Sequence, residues 1–276
     1  MRAQRRCPQK QRYCSSSARV LRSRTPHLDH FAATGAKLTQ YYSAANICSP
    51  SRGSLMTGRL YGRLGIFPGV LSPLSKSGLQ LNETTIAASL KTVGYRTGGL
   101  GKWHLGTNEY LPVHHGFDYY FGAPMTQNEC ISNIRTPGSA KPPPGRSNFG
   151  PCPILNGSDG LVKKQLDLSA KQYYDMIDVD EEYDAAVAGF VRGAHAAQQP
   201  FFFYFCSHHT HVPQFATKER TGYTPRGLMG DSLSMLDRSV GRLMNLTLEL
   251  DIDENTLMVF SAVRSLLRGQ TARILF

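Results

Sequence analysis

Cys48 opens the run Cys-Ser-Pro-Ser-Arg-Gly-Ser-Leu-Met-Thr-Gly-Arg-Leu, with Arg52 four residues on. Ser51 to Leu60, apolar after a polar start, reads as a helix whose N-terminus lies beside Cys48. Free N–H groups and the positive end of the helix dipole suit an anionic substrate there. The alternative for Cys48 is a buried structural thiol. About fifty residues later, Gly101-Lys102-Trp103-His104-Leu105-Gly106 supplies an ammonium and an imidazole. Taken singly, Lys102 reads as a solvated lysine and His104 as a satisfied core histidine. A third segment, Ser207-His208-His209-Thr210-His211-Val212-Pro213-Gln214-Phe215, packs three histidines into four residues. Imidazole is a common zinc ligand, but no nearby carboxylate or cysteine pair completes a tetrahedral set.

The surrounding elements are expected to bring these segments together. Residues 25–47 read as a helix beginning at Thr25-Pro26, with Leu28, Phe31 and Ala32 on one face, then a short strand into the Cys48 loop. Asn82 to Thr85 caps a helix over Ile86–Val93, and Tyr95–Leu100 is a strand ending at Gly101. Residues 122–160, with five prolines from Pro137 to Pro151, form an irregular excursion. Glu181–Ala197 is helical, and the continuous apolar run Pro200–Cys206 reads as a fully buried strand. Gly230–Leu250 is a long helix with Leu233, Leu236, Val240, Leu243 and Met244 facing inward. Thr256–Phe260 reads as another core strand. Helices alternating with buried strands predict an α/β fold, a parallel sheet covered on both faces, with its site at the strand carboxyl ends. Cys48, Lys102 with His104, and His208–His211 each follow a predicted strand.

The 276 residues carry a formal charge of +11. Eight basic residues and no acid fall within residues 1–24, and three more lie in the last fifteen; the segment between them is neutral. The basicity belongs to the ends, and residues 1–24 read as an unstructured solvated arm. A basic arm can bind phosphate backbones, but no nucleic-acid-binding motif accompanies it, so no nucleic-acid partner is expected. Of six cysteines, Cys130 and Cys152 flank a Pro/Gly/Ser-rich loop and suit a disulfide in an oxidising compartment. Cys206, inside an apolar run, reads as a buried thiol. Asn82, Asn156 and Asn245 each begin an Asn-x-Ser/Thr glycosylation sequon, which favours a secretory origin. The N-terminal residues contain no apolar signal core, and no stretch is long enough for a transmembrane segment.

The Cys48–Leu60 and Gly101–Gly106 runs, in that order, resemble the two signature segments of the sulfatases, in particular the arylsulfatase type. The resemblance implies an alkaline-phosphatase-like α/β/α sandwich with a mostly parallel sheet. It implies sulfuric ester hydrolysis in the lysosome or secretory pathway. Cys48 is then oxidised by the formylglycine-generating enzyme to formylglycine, which acts as the nucleophile and also contacts Ca²⁺. Arg52 holds the modified side chain, Lys102 contacts sulfate oxygens, and His104 hydrogen-bonds the nucleophile. His211 binds sulfate and protonates the leaving group. Thr126, in Gly122-Ala123-Pro124-Met125-Thr126, stands where the family usually has serine and keeps the hydroxyl for the substrate. The implied substrates are aryl sulfates and sulfated lipids or sugars, and a homo-oligomer is implied as well.

The resemblance spans residues 25–262 as a partial catalytic domain. It leaves 1–24 and 263–276 as segments unlike the family, and it lacks the family's first strand and smaller C-terminal domain. Family carboxylates and amides expected around Ca²⁺ have no counterpart here, so turnover is expected to fall well below that of an intact sulfatase. Two other readings stay open: a binding or regulatory protein without catalysis, and a phosphate or phosphonate ester hydrolase.

Overall fold

The computed structural model describes residues 24–67, 69–127, 154–157, 179–212, 214–262 and 274–275. The basic arm up to residue 23, the Cys130–Cys152 pairing, most of the proline-rich excursion and most of the tail after 262 lie outside the described residues.

The central sheet begins from glycine. Strand β2 (Arg96–Lys102) follows helices α1 (Pro26–Thr34), α2 (Cys48–Thr57) and α3 (Ile86–Lys91) and the two-residue strand β1 (Lys37–Leu38). It carries Gly98, Gly99 and Gly101 between two aromatic neighbours, β3 (Tyr119–Ala123) and β5 (Phe201–Cys206). A Cβ on Gly98 would come within 2.7 Å of the Phe203 ring, and one on Gly99 within 3.1 Å of Phe117. The bare backbone of β2 is thus the space into which its neighbours' rings pack. β3 and β5 both run parallel to β2, and β4 (Leu155–Gly157) runs antiparallel to β3, giving the order β4-β3-β2-β5. The mostly parallel sheet agrees with the expected α/β class. β3 has no counterpart in the sequence-based assignment.

Helices cover both faces. On one, α4 (Val179–Ala196) and α5 (Gly227–Glu249) bring Val179, Tyr183, Val187, Phe190, Val191 and Leu246 onto Leu100 and Phe121. On the other, Met56 of α2 and Ala87 of α3 join Leu64, Leu79 and Leu105 around Trp103, Phe117 and Tyr120. Adjacent Tyr120 and Phe121 serve opposite layers, as the pleat requires.

Four expectations need correction. The predicted strand into the Cys48 loop is only β1, which pairs antiparallel with β6 (Ile274–Leu275); residues 39–47 are irregular. β5 is half-buried from Phe201 to Phe205, because among the described strands it has a neighbour on one side only. Thr256–Phe260 forms no described strand beyond a single bridge pairing at Phe260, leaving Leu257 78% and Val259 52% exposed. The buried face of α5 is polar as well as apolar: Asp231, Ser232, Ser234, Asp237 and Ser239 join Met235 and Val240, while Leu233, Leu236, Leu243 and Met244 are half-buried.

That polar face has identifiable work. Thr25 makes no side-chain cap for α1, and the Asp237 carboxylate instead accepts from the backbone N–H groups of His27 at 3.3 Å and Leu28 at 2.9 Å. An anion at a helix N-terminus satisfies orphan donors and the dipole together. Asp231 likewise accepts from Gly222 and Thr224 N–H groups at 2.8 and 2.7 Å. α3 has its own cap, Thr85 accepting from Ala88 N–H at 3.1 Å.

His115 is buried beside Trp103, ring centroids 5.7 Å apart, and neither ring nitrogen has a hydrogen-bond partner among the described residues. Burial, with His114 nearby, lowers its pKa from 6.5 to about 4. The unfolded chain therefore takes up this proton first, so stability present above pH 6.5 is lost as the pH falls toward 4 and no further below it. Urea unfolding from pH 7 to 4 should show His115→Phe shrinking that acid-side loss by about 3 kcal/mol. An unchanged slope would mean that His115 is not held neutral. Buried His208, also shifted well below its ordinary value, keeps a residual slope of the same sign.

Candidate active site

The site is built where α2 begins. Cys48 is the first residue of that helix and half-buried, closer to the helix than the sequence suggests, and Ile47 before it is extended with no side-chain cap. Two serines of the first turn fix the surrounding loops. Ser51 donates to the Ala45 carbonyl at 2.5 Å, and Ser49 accepts from Leu71 N–H at 3.1 Å. One turn after Cys48, Arg52 runs inward, 6% exposed. It donates to the Lys102 carbonyl at 2.7 Å, to the Cys206 thiol, and to the Tyr204 hydroxyl at 3.4 Å. Burial opposes its charge, but Cys206 and Tyr204 outweigh that and hold the guanidinium charged.

The end of β2 turns sharply through two left-handed residues, Gly101 at φ 88° and His104 at φ 60°. A Cβ on Gly101 would lie 1.8 Å from the Cys206 carbonyl oxygen, so only glycine fits. The turn sends both Lys102 and His104 to Cys48. Lys102, 2% exposed, places Nζ 3.3 Å from the Cys48 sulfur. His104 bonds Cys48 as well, and its Nε2 lies 2.9 Å from the Leu71 carbonyl.

Two cations side by side in a dry pocket demand an anion. Burial, reinforced by Arg52, lowers the Lys102 pKa from 10.5 to about 8. Burial also disfavours a Cys48 thiolate, but hydrogen bonds from His104 and His211 and the charges of Lys102 and Arg52 reverse it. The net effect is a thiol pKa lowered from 9.0 to about 4. The unmodified side chain is therefore an anion at neutral pH, lying where an oxyanion would be stabilised.

The histidine cluster is divided among three tasks. His208 is buried, with Nδ1 3.1 Å from Gln127 Oε1 and Nε2 3.1 Å from the Tyr183 hydroxyl. His209 sits between Asp180, 2.6 Å from Nε2, and Ser232, 2.7 Å from Nδ1. His211 donates through Nδ1 to the Val212 carbonyl at 2.7 Å and reaches Cys48 with its remaining ring nitrogen. Among the described residues no group of three or more His, Cys, Asp or Glu is placed to hold a metal ion.

Cys48, Arg52, Lys102, His104 and His211 thus converge. Thr126 is buried just beyond β3, one residue before Gln127, which bonds the histidine segment. The sequon residues Asn82, Asn156 and Asn245 are exposed. Sequence reasoning misses Tyr204 and the partnership of Cys206 with Arg52. The available signal is two polar side chains spaced two apart in an otherwise aromatic strand, hence on one face. Gln127, Tyr183, Asp180 and Ser232 carry no local signal. Ca²⁺ takes six to eight oxygen ligands. The described shell of Cys48, two cations and two imidazoles, does not fit it. No helix of the described residues is long and apolar enough to cross a membrane.

Comparison with known proteins places this pocket in a lineage. The family model described as Sulfatase matches residues 15–262. Arylsulfatase A of Bos taurus is 39% identical over 247 residues, covering 87% of this chain and 47% of the relative. Arylsulfatase G of Homo sapiens is 33% identical, covering 86% and 46%. The crystal structure of the PsFucS1 sulfatase from Pseudoalteromonas sp. superposes with a TM-score of 0.71 at 25% identity, covering 86% of this chain and 49% of that one. The chain spans about half the length of the curated relatives it matches. With the family model matching most of the chain and relatives above 30% identical over that span, the chain belongs to the sulfatase family.

Proposed function

We propose that this chain provides the catalytic pocket of an arylsulfatase-type sulfuric ester hydrolase, with Cys48 converted to formylglycine during passage through the secretory pathway. The observation that carries the reading is the convergence of Lys102, His104 and His211 on one side chain at a helix N-terminus, backed by buried Arg52. A sulfate monoester is a tetrahedral anion whose cleavage needs charge neutralisation, an oxygen nucleophile and a proton for the departing oxygen. Hydrated formylglycine supplies the nucleophilic oxygen and a route for releasing sulfate. Lys102 and the helix N-terminus neutralise the sulfate oxygens, and Thr126 adds a hydroxyl. Arg52, fixed by Lys102 O and Cys206, holds the modified side chain in register. His104 orients it from the Leu71 side. His211, its Nδ1–H committed to Val212, gives the proton on its other nitrogen to the leaving oxygen. The relatives' names include Arylsulfatase A and Arylsulfatase G, and aryl or lipid sulfates are the proposed substrates.

The deciding measurement is the mass of the tryptic peptide from Leu38 to Arg52 after expression in animal cells. Conversion of the thiol to an aldehyde is expected, together with 4-nitrophenyl sulfate hydrolysis that Lys102→Ala lowers about 10²–10³-fold in kcat/KM. A converted chain that cleaves 4-nitrophenyl phosphate and not the sulfate would overturn the sulfatase reading. In protein made without the converting enzyme, the rate of Cys48 alkylation should stay level above pH 5 and fall through about pH 4. Lys102→Met should move that midpoint up by about 1–2 units. A wild-type midpoint near 9 would refute the electrostatic account of the pocket.

A further inference from the structure

We propose that Gln127 is a positioning residue that holds His211 against Cys48. The segment from Ser207 to Val212 has no regular secondary structure to fix it, apart from a turn in which His211 N–H donates to the His208 carbonyl at 3.1 Å. Gln127, 1% exposed, donates through Nε2 to the His208 carbonyl at 3.0 Å and to the His211 carbonyl at 3.2 Å. Its Oε1 accepts from His208 Nδ1 at 3.1 Å. One amide therefore closes both ends of the turn and fixes one ring within it. Only a primary amide of this length offers donors for two carbonyls and an acceptor for an imidazole N–H. Glutamate would set an oxygen against two carbonyls, and methionine would leave all three groups buried without this partner.

The other contacts of the turn make the assignment specific. His208 Nε2 is taken by Tyr183 and His209 is held by Asp180 and Ser232, so those ring nitrogens are already committed elsewhere. Of the three histidines in this segment, His211 is the one that bonds Cys48. Its backbone anchor to the rest of the fold is the Gln127 amide. The catalytic meaning of this positioning rests on the hydrolase reading above, but the positioning itself does not depend on turnover.

The test is imidazole NMR on the full ¹⁵N-labelled chain, with the His211 signals identified by their loss in His211→Gln. In the wild type, the His211 Nδ1–H and the side-chain NH₂ protons of Gln127 should all exchange slowly with solvent. Gln127→Met and Gln127→Glu should both lose the slow exchange of the His211 Nδ1–H. A core variant that lowers Tm without touching the turn, Val187→Ala, should keep it. Three results would each overturn the proposal: a His211 signal unmoved in folded Gln127→Met, equal disturbance in Val187→Ala, or fast exchange of the Gln127 amide in the wild type. The last needs no variant to fold. A chain that hydrolyses no sulfate but shows these signals would sink the hydrolase reading and leave the positioning role standing.

Discussion

Three strand ends approach one another more closely than side chains permit, and the pocket depends on that approach. At the carboxyl end of β2, Gly101 carries positive φ and lies against the Cys206 carbonyl of β5. A Cβ on Gly122 of β3 would come within 2.0 Å of the Gly101 carbonyl. Two glycines thus let three backbones meet, and the chain leaves each strand already beside its neighbours. Lys102 and His104 issue from β2, Thr126 and Gln127 from β3, and the histidine segment from β5. The helix carrying Cys48 and Arg52 seals the cluster from one side. Any bulkier residue at either glycine would separate the groups before their chemistry mattered.

Electrostatics is the second constraint. Burying Arg52 and Lys102 together is costly unless negative charge is supplied, and the described pocket supplies it only through sulfur. The response is visible in all three groups: Lys102 yields toward neutrality, Arg52 stays charged, and Cys48 is driven to its anion. A pocket so arranged is preorganised for an oxyanion and needs little reorganisation when one arrives. Tyr120, its pKa well above the ordinary value through burial, stays a hydroxyl and ties β2 to β3 by donating toward the Gly101 and Ala123 carbonyls.

What the sequence discloses follows from how locally each feature is encoded. Cys48, Arg52, Lys102 and His104 stand in short runs whose residue types announce a polar site at a turn, and the structure brings them together. The helices over 26–34, 86–91, 179–196 and 227–249 follow from periodicity and caps. Edge position is not written in a strand: Phe-Phe-Phe-Tyr-Phe-Cys has the composition of a central strand, yet it lies at the border of the described sheet. The polar lining of α5 is hidden for a related reason. A helical wheel places Leu233 and Leu236 inward, but Asp231, Ser232 and Asp237 find hydrogen-bond partners outside the helix that outbid them for the interior. Gln127 is silent because its carbonyl partners are some eighty residues away.

The buried polar face of α5 has a consequence for how this sequence can drift. An apolar helix face tolerates exchange among side chains of similar volume, and a bundle can slide slightly to absorb the change. α5 has no such latitude. Asp237 must meet the start of α1, Asp231 the Gly222–Thr224 turn, and Ser232 the His209 ring. These are three separate addresses on one rigid rod, so shifting the helix by a residue would strand all of them at once. Divergent sequences built on this arrangement should therefore hold the small acids and hydroxyls of α5 fixed while its leucines vary, the reverse of the pattern by which a core helix is ordinarily recognised.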